Sequence, residues 1–180
     1  PRSLGRRRKV NKPVVVYTDA SVDPERGVGG LAVLGLVQAK GGGRFSASLA
    51  LPVGDSTLAE AWAVKLALEV VLLTLGPQTP VTVFCDNESV VEHLQNGKRN
   101  GRQDLNRALE GVARLRGLLK VTFRYKPRLS TPEMRWVDAR AKEALEWARK
   151  GGPIQASKPE PSRAKPKGLL WRILRWILGG

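Results

Sequence analysis

Residues 56–86, STLAEAWAVKLALEVVLLTLGPQTPVTVFCD, change periodicity once, and the change places a helix beside a strand. The segment opened by Ser56-Thr57-Leu58-Ala59-Glu60 runs to about Leu75 and is closed by Gly76 and Pro77, a helix-terminating pair. Leu58, Ala61, Trp62, Val64, Leu66, Leu68, Val71, Leu72 and Leu75 distribute apolar side chains almost all round it, so this helix is expected to be buried. Residues 81–85 (VTVFC) then form a short β-branched and aromatic run that stops at Asp86, the pattern of a buried strand.

Upstream the chain reads as strands. Val14-Val15-Val16-Tyr17 stops at Thr18-Asp19, residues 21–30 are rich in turn-forming Pro and Gly, and residues 31–37 read as a second strand. Gly41-Gly42-Gly43 suggests a hairpin turn, with residues 44–51 as the antiparallel return. Downstream come a short helix over 87–95, a basic loop over 96–101, a helix over 103–118, a strand over 121–125, and a final helix over 132–149 with Pro132 in its first turn. Strands in series followed by alternating helix and strand predict an α/β domain with a five-stranded mixed sheet flanked by helices.

The chain has 180 residues, the length of one domain with short extensions, and its 42% hydrophobic content supports a packed core. Cys85 is the sole cysteine, which excludes an intramolecular disulfide and a Cys-rich metal module. There is no run of 18 apolar residues and no apolar stretch after the basic N-terminus, so a soluble cytoplasmic protein is expected. The net charge of +15 is concentrated at the two ends. Residues 1–12 hold Arg2, Arg6, Arg7, Arg8, Lys9 and Lys12 with no acid, and residues 149–180 hold eight basic groups against Glu160. Basic arms around a nearly neutral body point to a polyanionic partner, nucleic acid first and anionic lipid second.

Four acids stand out by position: Asp19 and Asp86 at strand ends, Glu60 in the first turn of the long helix, Asp138 early in the last one. Parallel neighbouring strands would project Asp19 and Asp86 from one sheet edge, where the two helices add Glu60 and Asp138. Carboxylates gathered in this way repel unless cations neutralise them, and hard cations such as Mg²⁺ take oxygen ligands while leaving room for phosphate. Two such ions, about 3.5–4 Å apart, suit phosphodiester hydrolysis. Singly, each acid has a plainer reading: Thr57 and Glu60 as a capping box, Asp86 with Asn87 as a helix cap, Asp19 as a turn acid, Asp138 as a solvated helix residue.

The four segments 14–21 (VVVYTDAS), 55–63 (DSTLAEAWA), 83–91 (VFCDNESVV) and 137–145 (VDARAKEAL) resemble, in order, those of type 1 ribonuclease H, over about residues 13–149. The resemblance implies the ribonuclease H-like fold and a metal-dependent endoribonuclease acting on the RNA strand of RNA/DNA hybrids. It makes Asp19, Glu60, Asp86 and Asp138 both catalytic and metal-binding, with two Mg²⁺ ions as cofactor. By the same resemblance Asp19 and Asp86 would contact both ions, Glu60 the ion beside the leaving group, and Asp138 the ion holding the nucleophilic water.

The departures carry information too. Residues 126–133 (KPRLSTPE) lack the loop histidine of familiar members, which resembles the reverse-transcriptase-like and archaeal branch and makes Mn²⁺ the alternative metal. His93 is the only histidine and reads as a surface or boundary residue. The interval from Asp86 to Asp138 is too short for the additional basic helix that some members use to grip hybrids. Ser56 and Thr57 stand where relatives often have asparagines. The expected nucleic-acid contacts are Ser21, Ser56, Thr57, Asn87, Lys98, Arg99, Arg102 and Arg128.

Organisation follows as a basic arm over 1–12, a catalytic domain over 13–150, a Lys/Pro-rich linker over 151–168 and an amphipathic helix over 169–180. In that last segment Arg172 and Arg175 share a narrow polar arc opposite Leu170, Ile173, Leu174, Trp176 and Ile177. It is too short to span a bilayer, so a protein partner or a membrane surface is expected there. Two other functions remain open: a related nuclease for double-stranded RNA or branched DNA, and a non-catalytic nucleic-acid adaptor.

Overall fold

The computed structural model describes residues 12–97 and 101–152. The arm before residue 12, Lys98 and Arg99 of the basic loop, and the linker and terminal segment from 153 onward lie outside the described residues. Nine elements follow along the chain: β1 (Val14–Asp23), β2 (Val28–Val37), β3 (Arg44–Leu51), α1 (Ser56–Leu75), β4 (Pro80–Cys85), α2 (Glu88–Asn96), α3 (Gln103–Leu118), β5 (Lys120–Tyr125) and α4 (Pro132–Arg149). The five strands make one sheet in the order β3-β2-β1-β4-β5. The first three form an antiparallel meander, whereas β1–β4 and β4–β5 are parallel, so the sheet is mixed as expected.

Helices cover both faces. On one side Val14, Val16, Leu31 and Val33 of the meander and Val81 and Val83 of β4 pack with α1, α2 and α3 in the larger core. On the other, Ala32 and Leu34 of β2 meet Met134, Val137 and Ala141 of α4. Helix α1 is buried at ten positions around its circumference, Glu60 and Glu69 among them. Asp55 caps it by accepting from the Leu58 amide at 2.7 Å, which leaves the Glu60 carboxylate free of the capping role its spacing from Thr57 suggested.

Strand β1 departs from the sequence expectation. It does not end at Asp19 but continues to Asp23, and β2 already begins at Val28, so only residues 24–27 turn. Gly29 and Gly30, which suggested a turn, are buried strand residues. Their missing side chains serve close approach instead: a Cβ on Gly30 would lie 2.1 Å from the Ala141 carbonyl oxygen and 2.4 Å from the Leu145 nitrogen. Helix α4 therefore rests directly on the β2 backbone, and that contact sets the height of Asp138.

Candidate active site

The site forms where β1 and β4 part. Their parallel pairing runs from Val14↔Val81 to Tyr17↔Phe84, after which β4 ends at Cys85 while β1 continues alongside β2. Asp19 lies just past the last pair on one strand and Asp86 just past the end of the other, so both carboxylates sit in the notch. Thr18 holds the junction by donating its hydroxyl to the Phe84 carbonyl at 3.2 Å.

Glu60 reaches the same notch from α1. Its Oε1 accepts from the Ala20 amide at 2.9 Å, and that amide also reaches Asp19 Oδ1 at 2.9 Å. The Cys85 thiol donates to Glu60 Oε2 at 3.6 Å. Ligand atoms of Glu60, Cys85 and Asp86 lie within 4.8 Å of one another. Asp138 enters from α4, where Arg128 Nε donates to its Oδ1 at 2.9 Å and Lys142 Nζ to its Oδ2 at 2.8 Å. The Arg128 guanidinium also stands 3.9 Å from Asp19 Oδ2 and 4.0 Å from Asp86 Oδ2. All four acids expected from the sequence are thereby brought to one place.

Electrostatically they divide. Burial, then the neighbouring Asp86 charge, pushes the Asp19 carboxyl up to about 7. Burial raises Glu60 well above the usual carboxylate range, with Asp19 and Asp86 adding to the effect. Asp86 is raised by burial, which the Arg128 charge only partly offsets. Asp138 goes the other way: burial works against its charge, but the hydrogen bonds from Lys142 and Arg128 prevail and hold it below the ordinary value. Cys85 is kept a neutral thiol by burial and by the Glu60 carboxylate beside it.

The expected nucleic-acid contacts are placed unevenly. Ser56 is exposed and Thr57 half-buried in the first turn of α1, while Ser21 is half-buried on β1 opposite Gly30. Asn87 caps α2, its side chain accepting from the Val90 amide at 3.0 Å. Arg102 bridges the starts of α1 and α3, 3.0 Å from Asp55 and 2.7 Å from Asp104. Arg128 reaches into the acidic cluster. His93 is half-buried on α2. Two participants were not singled out from sequence. Lys142 was legible as the residue four after Asp138 on a helix, whereas nothing local marks Cys85 as a neighbour of Glu60.

Between Asp86 and Asp138 the described residues hold α2, α3 and β5, with no additional helix. Among the described residues no helix is long and apolar enough to cross a membrane.

A family model described as reverse transcriptase-like matches residues 17–130, a span containing Asp19, Glu60, Asp86 and Arg128. No curated protein matches the chain. Among solved structures, the N-terminal RNase H domain of a Mycobacterium tuberculosis protein, determined as a fusion with maltose-binding protein, is 18% identical; the alignment covers 78% of this chain and 98% of that one, with a TM-score of 0.65. RNase H1 of the halophilic archaeon Halobacterium salinarum is 21% identical over 74% of this chain and 98% of its own, with a TM-score of 0.61. LC11-RNase H1, solved in complex with an RNA/DNA hybrid, is 20% identical over 76% and 99%, with a TM-score of 0.64. The meander, the parallel extension and the helices on both faces are thus an arrangement these enzymes share, and the chain belongs to the reverse transcriptase-like family, built on the ribonuclease H fold.

Proposed function

We propose that this protein is a metal-dependent endoribonuclease that cuts the RNA strand of RNA/DNA hybrids at the site formed by Asp19, Glu60, Asp86 and Asp138. The observation that carries the reading is Asp19 Oδ2, a carboxylate oxygen buried with no hydrogen-bond partner in a cluster of acids that burial already disfavours. A buried carboxylate oxygen that accepts no hydrogen bond, with the Arg128 guanidinium held off at 3.9 Å, is costly, and a divalent cation is a partner its chemistry fits. The donor set is almost wholly carboxylate oxygen, which suits Mg²⁺ or Mn²⁺.

Asp19, Glu60, Asp86 and Asp138 would hold the metal. Cations bound there would supply an activated water and stabilise the leaving oxygen. The protein's own contribution is orientation. The Ala20 amide and the Cys85 thiol aim the two oxygens of Glu60, the Gly30 contact sets the depth of α4, and the Thr18 hydroxyl closes the strand junction. Ser56, which is exposed, and Thr57 would offer hydroxyls to a sugar–phosphate backbone. The hybrid bound by LC11-RNase H1 supports the choice of substrate. The basic arm over 1–12 and the loop carrying Lys98 and Arg99 would add phosphate contacts to the domain over 13–150, while the segment over 169–180 would tether it to a protein or membrane surface.

The test uses the full chain with an end-labelled RNA/DNA hybrid and matched RNA, DNA and branched DNA substrates, in Mg²⁺, Mn²⁺ or EDTA, beside Asp19→Asn. Metal-dependent cutting of the hybrid's RNA strand alone, lost in the variant, is the expected result. Cutting of another substrate would keep the chemistry and replace the substrate. Tight binding without any cutting would make the protein a nucleic-acid adaptor.

A further inference from the structure

The two oxygens of Asp138 are already taken, one by Arg128 and one by Lys142, whereas Asp19 Oδ2 has no hydrogen-bond partner. The two cations are not equivalent. Lys142 sits on the same helix, four residues on, and pairs with Asp138. Arg128 arrives from the loop between β5 and α4, and its guanidinium stands within 4.0 Å of Asp19 and Asp86 as well as hydrogen-bonding Asp138. One planar fork thus faces three of the four carboxylates at once. Yet the Arg128 side chain is 47% exposed, so it meets solvent on its outer side. The loop is pinned nearby: Arg135 donates to the Leu129 carbonyl at 3.1 Å, and Leu129 adopts a left-handed conformation with φ of 57°.

On the nuclease reading, we propose that Arg128 is an internal counter-ion that shuts the Asp138 side of the site to a second divalent cation until a substrate phosphate draws its guanidinium away. A guanidinium binds phosphate through the same two-pronged geometry it offers a carboxylate, so the backbone of an incoming strand competes directly with Asp138 for it. The Asp19–Glu60–Asp86 side takes the first cation without substrate. The second position opens only when nucleic acid is present, which couples full metal loading to substrate binding. Arg128 is in this sense a positioning residue whose partner changes between the free and the bound protein.

Counting bound Mn²⁺ on the full chain, by calorimetric titration and by the paramagnetic resonance of the free ion, tests this without any turnover. The wild type without nucleic acid takes up one ion per chain, and Arg128→Gln takes up two at the same free Mn²⁺. Arg128→Lys, whose compact ammonium cannot span three carboxylates, also admits the second ion, and its retained charge keeps the test valid should the glutamine variant fail to fold. Lys142→Gln stays at one. Two ions on the wild type, or one on both Arg128 variants, overturns the proposal. Asp19→Asn separates the two levels. If it abolishes the wild-type ion while the Arg128 variants still take only one, the counter-ion role alone fails. If neither the wild type nor the Arg128 variants bind Mn²⁺, the nuclease reading falls with it.

Discussion

Arg149, in the last turn of α4, places its Nε 2.8 Å from Oδ2 of Asp23 at the far end of β1. Arg26 donates to the same carboxylate at 3.0 Å, and the Asp23 side chain is almost fully enclosed. Hydrogen bonding from Arg26, with Arg149 assisting against the cost of burial, pulls the Asp23 carboxyl down to about 2. An ordinary unfolded aspartate titrates near 4, so the folded state binds this proton more weakly than the unfolded chain. The pair therefore stabilises the fold above about pH 4, and that contribution disappears as pH falls toward 2. Arg149→Met should move the acid-unfolding midpoint, followed by circular dichroism, to higher pH and leave neutral-pH secondary structure unchanged.

Gly30→Ala tests how α4 is seated. The added Cβ would meet backbone atoms of Ala141 and Leu145, which cannot rotate away as a side chain could. Overpacking of this kind costs about 1–3 kcal/mol and displaces the helix that carries Asp138. A lower urea midpoint is expected, and a loss of hybrid cleavage of about 10²-fold, in line with the penalty for an ångström of misplacement. Unchanged cleavage at reduced stability would show that the height of α4 is immaterial to the site.

Lys65 and Glu69 form a buried ion pair one turn apart on α1, with side chains 13% and 6% exposed. The Lys65 ammonium also lies 5.0 Å from the Trp62 ring centre, and its methylenes cover Gly111. Lys65→Met strands the Glu69 carboxylate and should cost about 3–5 kcal/mol. The double change Lys65→Met with Glu69→Leu should recover most of that loss. A double-mutant cycle from denaturant melts reads both.

Asp19→Asn should do opposite things with and without metal. In EDTA the folded Asp19 holds its proton up to about pH 7 while the unfolded one loses it near 4. Stability of the metal-free protein from this residue therefore falls as pH rises through that window, the reverse of Asp23. The asparagine removes the penalty, so its thermal midpoint in EDTA at pH 8 should exceed that of the wild type. With Mg²⁺ present the order reverses, and cleavage drops by about 10³-fold or more.

Removal of residues 1–12 probes the basic arm. Every phosphate that the shortened chain leaves unneutralised lowers the slope of log binding constant against log salt by about 0.9 on B-form duplex, and hybrids should respond similarly. Binding of a catalytically inert Asp19→Asn chain to hybrid across a salt series measures it. An unchanged slope would show that the arm does not touch phosphate.

Helices α1 and α4 are legible to the residue because each carries its own punctuation, Gly76-Pro77 after α1 and Pro132 in the first turn of α4, whereas α3 has no side-chain cap and is marked by its apolar spacing. The end of β1 is not, because Gly29 and Gly30 look alike in a turn and in a strand pressed against a helix. The four acids could be gathered from their places in the element order. The Glu60–Ala20 bond spans 40 residues and no local pattern announces it, so a capping box was the natural local reading. Arg128 reads from sequence as a contact for nucleic acid, whereas its reach across Asp19, Asp86 and Asp138 depends on how the loop before α4 lies over the strand notch.

The strand order carries a consequence for biosynthesis. The meander β1–β3 closes through short turns as soon as it is made, but β1 meets β4 only after the 20 residues of α1 have been added. Asp19, Glu60, Asp86 and Asp138 are made in that order, and the last of them rides on the final described helix. Until α4 has been made, a growing chain therefore holds no complete set of the four acids.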